Sequence, residues 1–277
     1  MASRGPNRAS SRANRETPFE RSIKSLKRMG AVALVTAVIV GKISFGWGVD
    51  YATAQNNDSG PGGGPATYIE MAMGGGSAEQ DTSAEKQQQL EQLIAQAQAD
   101  AEKYEREQTE AGNKIYAPYS VDHEDEFEES MRYLMTRDEL NLVQVFAVLG
   151  NVAQESKFNP TLDNGYTKGL IQYEGGRRDN LLAFMQKYGY KDPNSVEGQL
   201  RFIFWEHQND TYEHNNLEAF RKTTNIRDAT STFCEKYERP SAPETEKRVY
   251  FANKLLSTAA AEHLELLNGY IENHNVK

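Results

Sequence analysis

The sequence predicts a mainly α protein, in which a helical domain with a short loop or hairpin insertion is preceded by a transmembrane helix and a helical stalk. Three observations predict it. Apolar residues recur at helical spacing through most of residues 118–277. A polar, Gly-rich stretch at residues 156–176 interrupts them once. A charge-free apolar run follows a dense basic end.

Residues 1–29 carry eight Lys/Arg against two Glu, whereas the remainder carries 23 basic against 38 acidic residues. The acidic body argues against nucleic acid as a partner, because phosphate binding needs a basic surface. The basic segment 1–29 instead reads as a cytoplasmic flank, with residues 30–49 as a transmembrane anchor or uncleaved signal. Residues 30–41 are uncharged, Lys42 lies near enough to the end to snorkel, and Trp47 suits an interface. The competing reading is a signal peptide cut near Ala54, which would leave a secreted protein. Either way the body is expected outside the cell.

Residues 50–85, rich in Gly, Ser, Asn and Pro, read as a flexible linker. Residues 86–117 read as a stalk. Leu90, Leu93, Ile94, Ala97, Ala101 and Tyr104 fall at helical spacing, in a stripe too narrow and Ala/Gln-rich for a coiled coil. A solvated helix of that kind would extend about 40 Å.

The domain proper is expected over residues 118–277. Its first helix has an acidic first turn around "HEDEFEES". The next, "TRDELNLVQVFAVLGNVAQES", has Thr136 and Glu139 at capping-box spacing and the most apolar face of the chain. Further helices are expected in "RRDNLLAFMQKYG", "SVEGQLRFIFWEHQ", "LEAFRK" and "IRDATSTFCEKYE", then a long last one from Pro243 in a first helical turn.

Chemistry is sparse in this composition. The single cysteine, Cys234, excludes an intrachain disulfide and a multi-thiolate zinc site. Glu206, His207 and His214 lack zinc spacing and read as solvated or core-edge residues, so no metal or cofactor is expected. Glu155 stands out because it ends the most apolar helix and opens onto the polar loop. There it is expected against an apolar wall, a setting that favours the neutral carboxyl.

Glu155 belongs to a longer pattern: Leu149-Gly150-Asn151, Glu155-Ser156, Phe158-Asn159-Pro160, Gly169-Leu170, Gln172, Gly175-Gly176-Arg177-Arg178 and Tyr237-Glu238-Arg239-Pro240. In order and spacing this resembles the lysozyme-like superfamily of goose-type lysozymes and lytic transglycosylases. Within it the pattern is most similar to the phage tail lysozyme and Gram-positive conjugation-associated cell-wall hydrolase branch. The resemblance covers about residues 136–258. It departs at Tyr173, where the family usually has Trp, and at Glu174, where it has Thr or Ser.

The resemblance implies a lysozyme-like fold and a muramidase or lytic transglycosylase acting on peptidoglycan glycan strands. Glu155 is then the general acid, and Gln172, Tyr173 and Tyr237 are substrate-binding residues. Asp163 and Glu174 are candidates for a second carboxylate. Ser156 supports the loop, Arg177 and Arg178 start a helix, and Glu238 anchors local structure through an ion pair. With the anchor, the resemblance implies a membrane-tethered enzyme that opens the wall for a conjugation or secretion apparatus and meets that machine's other components. The rival reading is an inactive wall-binding or scaffold module of the same fold.

Overall fold

The computed structural model describes residues 76–277, with side-chain surroundings from residue 82 onward. The basic segment, the expected anchor at 30–49 and the expected linker as far as residue 75 lie outside the described residues. Among the described residues no helix is long and apolar enough to cross a membrane.

Helix α1 spans Gly76–Glu110, α2 Glu124–Leu134 and α3 Leu142–Ser156. A two-stranded antiparallel hairpin follows, β1 Thr167–Lys168 and β2 Tyr173–Glu174, with Thr167 opposite Glu174 and Lys168 opposite Tyr173. Helices α4 (Gly175–Lys187), α5 (Val196–Asn209) and α6 (Thr211–Arg221) lead to the short α7 (Ile226–Thr232). From α7 the chain widens into a π-helical turn, Phe233–Glu238. Helices α8 (Thr245–Glu262) and α9 (Leu264–Asn273) close the domain.

The core is built on α3, whose residues 142–153 are all buried. It starts two residues later than Leu140, at a capping box formed by Asn141 and Gln144. The expected pair is used elsewhere: Thr136 bonds back to the Tyr133 carbonyl, and Glu139 pairs with Arg137. Helix α8 lies along α3, and Gly150 permits the contact. A β-carbon at Gly150 would sit 2.7 Å from both Ala252 Cβ and the Arg248 carbonyl. Pro243 is not in a first helical turn, because α8 begins at Thr245 after a left-handed Glu244. The long final helix also breaks at His263 into α8 and α9.

Helix α1 departs most from expectation. It begins inside the stretch read as linker, and it is no free stalk. Leu90, Leu93, Ile94, Ala97 and Ala101 are buried in the same core as the rest of the domain. They pack on α8 and α9, so the domain extends well before residue 118. The stripe is narrow because Ala97 and Ala101 let the helices approach closely. Tyr104 stacks on Tyr250 with centroids 4.5 Å apart, and Glu105 accepts from Tyr250 Oη at 2.9 Å and Lys254 Nζ at 2.8 Å. Burial of Leu90 and of Ile94 contributes about 1.5–3 kcal/mol each.

The hairpin insertion is pinned from below by Gln199 of α5. Its amide accepts from Leu170 N–H at 2.8 Å and donates to the carbonyls of Pro160 at 3.0 Å and Pro193 at 3.2 Å. Gly169, at φ +80°, makes room for it, since a β-carbon there would run into Gln199 Oε1.

Candidate active site

Helix α3 delivers Glu155 to the edge of the core and then stops abruptly. Lys157 and Phe158 both take left-handed backbone conformations, at φ 56° and 63°. A left-handed turn at a residue with a β-carbon costs about 1–2 kcal/mol. Here it is held by Phe158, which is buried edge-on against Phe127 at 5.3 Å. Ser156 bonds back to the Val152 carbonyl at 3.2 Å, a helix-end role. Lys157 Nζ donates to the Ala117 carbonyl at 2.9 Å and lies 3.6 Å above the Phe251 ring. Burial, with Lys247 nearby, lowers the Lys157 ammonium to about 8.

Glu155 is partly desolvated, with 18% of its side chain exposed, but it faces a buried guanidinium where an apolar wall was expected. Its Oε1 accepts from Arg248 of α8, a residue only 1% exposed. The same guanidinium donates to Asn151 Oδ1 at 3.0 Å and to the Pro243 carbonyl at 2.7 Å. Asn151 is itself fixed, donating to the carbonyls of Ala147 at 2.8 Å and Thr230 at 3.3 Å. The Gly150-Asn151 pair therefore seats Arg248: the glycine admits α8, and the asparagine orients the guanidinium. Beside Glu155, Gln154 bonds Glu244, which precedes α8.

A second carboxyl comes from the π-helical turn. Glu238 has a buried Oε1 with no hydrogen-bond partner, so the expected anchoring ion pair is not what holds it. Burial pushes its carboxyl well above the usual carboxylate range, and the negative charge of Glu155 pushes the same way. Arg248, Arg177 and Arg239 oppose the shift without cancelling it. Cys234 shares this environment: burial lifts its thiol to about 11 against the pull of Arg248, with Glu238 and Glu155 adding to the rise. Its Sγ donates to the Pro243 carbonyl at 3.7 Å, the acceptor also used by Arg248. This thiol is buried and structural in character.

The expected sugar-binding aromatics have gone inside. Tyr173 and Tyr237 are each 2% exposed, so neither presents a ring face to a ligand. Their hydroxyls meet at 2.8 Å, and Tyr237 Oη donates to Glu206 Oε2 at 2.6 Å. Arg177 completes the chain, donating to both Glu206 oxygens at 3.0 and 2.7 Å and to the Tyr237 carbonyl at 3.0 Å. Each polar group has a partner, which is the condition for burying it. Glu206 is thus an interior keystone rather than a core-edge residue. It ties α5 to α4 and the π-helical turn, a long-range role with no local signal in the sequence.

Gln172 bends back on its own turn. At φ 51° it donates to the Gly169 carbonyl at 2.7 Å and accepts from Thr167 Oγ1 at 2.7 Å, bracing the hairpin. Asp163 is engaged by Gly165 N–H at 2.9 Å, Arg178 at 3.2 Å and Lys168 at 3.5 Å. The Gly165 amide first, then Arg178, holds its carboxyl below the ordinary value. Glu174 is exposed at the N-cap of α4 and makes no side-chain cap bond. The insertion does carry one well-exposed aromatic, Tyr166, at 61%. Among the described residues no group of three or more His, Cys, Asp or Glu could hold a metal ion.

Residues 126–258 match the family described as phage tail lysozyme. The matched span holds Glu155, Glu238 and Arg248 together with the hairpin, and leaves out α1. No curated protein matches the chain.

Proposed function

We propose, from the match of residues 126–258 to the phage tail lysozyme family, that the chain cleaves the glycan strands of peptidoglycan between N-acetylmuramic acid and N-acetylglucosamine, with Glu155 as the proton donor. The observation that carries this reading is the placing of Glu155. It lies at a rigid helix end inside the matched domain, partly desolvated and oriented by the buried Arg248. General acid catalysis needs such a carboxyl within hydrogen-bond reach of the leaving oxygen.

In the step we infer, Glu155 gives its proton to O4 of the leaving sugar as the C1–O4 bond breaks. The C-6 hydroxyl of the muramic acid residue then adds to C1 and returns its proton to Glu155. No water is consumed and the product carries an anhydro end. Two features favour Glu155 as the carboxyl that touches the substrate. Asp163 is held by Arg178, Lys168 and Gly165, and Glu174 is exposed at the N-cap of α4.

We further read residues 30–49, outside the described residues, as an anchor that keeps this domain on the outer face of the membrane. The basic flank before residue 30 supports that reading. Local opening of the wall for a conjugation or secretion apparatus is the role such tethering suits.

The test is digestion of purified peptidoglycan by the purified chain, with the soluble fragments identified by mass spectrometry. Fragments cut between sugars and ending in anhydro-muramic acid are the expected result. Reducing ends would replace the C-6 hydroxyl by water as the attacking group. Wall binding with intact glycan strands would make the domain a binding module.

A further inference from the structure

A segment outside the matched span reaches the helix end that carries Glu155. Residues 111–120 connect α1 to the short turn Val121–His123 that leads into α2. Lys157, two residues after Glu155, donates to the Ala117 carbonyl at 2.9 Å. Lys247, the residue before Arg248, holds its ammonium 5.1 Å from the centroid of the Tyr116 ring. Further along, Tyr119 stacks on Phe127 at 5.1 Å and meets Phe158 edge-on at 6.4 Å. The connector is thus fastened to residues beside both Glu155 and its guanidinium partner. Tyr116, 47% exposed, is the ring it presents there.

Three lysines gather at this place in a body that is otherwise acidic. Lys114 Nζ lies 5.0 Å from the Tyr116 centroid. Lys157 and Lys247 share the Phe251 ring, at 3.6 and 6.0 Å from its centroid. Like charges this close oppose each other, and Lys247 adds to burial in lowering the Lys157 ammonium. Glu244 answers Lys247 at 3.5 Å, but that carboxylate also accepts from Gln154. Lys157 is occupied in holding the connector. Lys114 is exposed and the Lys247 side chain is 25% exposed, and each ammonium has three N–H groups to offer. An anion between them would relieve the repulsion and collect charge-assisted hydrogen bonds.

We propose that the connector is a binding subsite of the cleft, in which Lys114 and Lys247, beside Tyr116, hold a carboxylate of the peptide stem borne by the muramic acid residue next to the scissile bond. This rests on the reading of the domain as a glycan-cleaving one. The chemistry selects the ligand, because the N-acetylated sugars of the strand are neutral and its stems carry free carboxylates. Lys157 is a positioning residue that fixes the connector to the end of α3. The subsite acts on binding, so its contribution falls on KM rather than on kcat.

The test is a two-by-two comparison with the purified full chain. Wild type and the double variant Lys114→Met, Lys247→Met are each given soluble, stem-bearing glycan strands freed of phosphate polymers. Both are also given the same strands with their carboxylates converted to methylamides. Methionine keeps the aliphatic stem against the rings, so the unfolding midpoints should match. Wild type should show a KM about fivefold or more higher on the amidated strands, with kcat little changed. The double variant should show that rise already on native strands and no further rise on amidated ones. Arginine at both positions should restore the wild-type pattern. Losses that multiply independently, or a wild-type KM unmoved by amidation, would overturn the subsite. Kd values for the same strands, measured with Glu155→Gln as the background, repeat the comparison without cleavage. Binding that depends on the carboxylates and both lysines, in a chain that never cleaves, would support the subsite and count against the cleaving reading alone. Cleavage beside a Kd indifferent to both changes would overturn the subsite alone.

Discussion

Gly150 and Ala252 are in such close contact that a β-carbon on the glycine would lie 2.7 Å from Ala252 Cβ. That contact sets the separation of α3 from α8 and so brings Arg248 to Glu155. Gly150→Ala should therefore cost about 1–3 kcal/mol or more, the usual range for overpacking a filled core. It should also lower activity beyond what the stability loss explains. Chemical denaturation and a turnover assay check both, and wild-type values in each would show that the glycine does not set the site.

Arg248 satisfies three acceptors at once: Glu155, Asn151 and the Pro243 carbonyl. Arg248→Met removes the donor and leaves them buried or half-buried without it. The expected loss is about 3–5 kcal/mol, the range for breaking one side of a buried pair. Combined with Glu155→Gln the losses should add to less than their sum, because the second change removes the charge that the first strands.

The raised carboxyl of Glu238 also makes a statement about stability and pH. Its folded value lies above the unfolded value of 4.5, so the folded state holds the proton where the unfolded state has released it. By linkage, its contribution is fully present in acid and is lost as the pH rises above that value. Glu238→Gln, which cannot ionise, should gain stability relative to wild type on moving from about pH 5 to about pH 8. Thermal unfolding of both proteins at the two pH values reads this directly. A difference that is constant or shrinks with pH would contradict it.

Helix α1 gives a prediction opposite to that of a solvated spacer. Leu90→Ala should destabilise the domain by about 2–5 kcal/mol, as for a leucine deleted from a core. A free stalk would show no change in the unfolding transition.

Much of this architecture was legible because α3 is apolar on nearly every side and the helices around it keep their period. Other features depended on partners distant in the chain. Ala97 and Ala101 read as a solvated stripe because small residues carry little hydrophobic signal, yet small residues are what close helix packing needs. Thr136 and Glu139 have the same spacing as the true box of Asn141 and Gln144, and only the start of the apolar face separates them. Tyr173 was expected to face a sugar, but an aromatic residue with a hydroxyl suits an interior chain equally well once Tyr237, Glu206 and Arg177 complete it. Glu155 stands out in the sequence because a helix end and a motif coincide there. Glu238 reads as an ordinary acid beside an arginine, because the π-helical turn that carries it has no mark in the sequence.

The central claim is that Glu155 supplies the proton that breaks the glycosidic bond. The most direct measurement is the rate of glycan-bond cleavage in purified peptidoglycan by Glu155→Gln against wild type, with sacculus binding measured alongside. Glutamine keeps the size of the side chain and its capacity for hydrogen bonding but has no proton to transfer. The account predicts unchanged binding and a rate reduced by about 10²–10⁴-fold, the usual contribution of a general acid. A variant that cleaves at a rate close to wild type would contradict it.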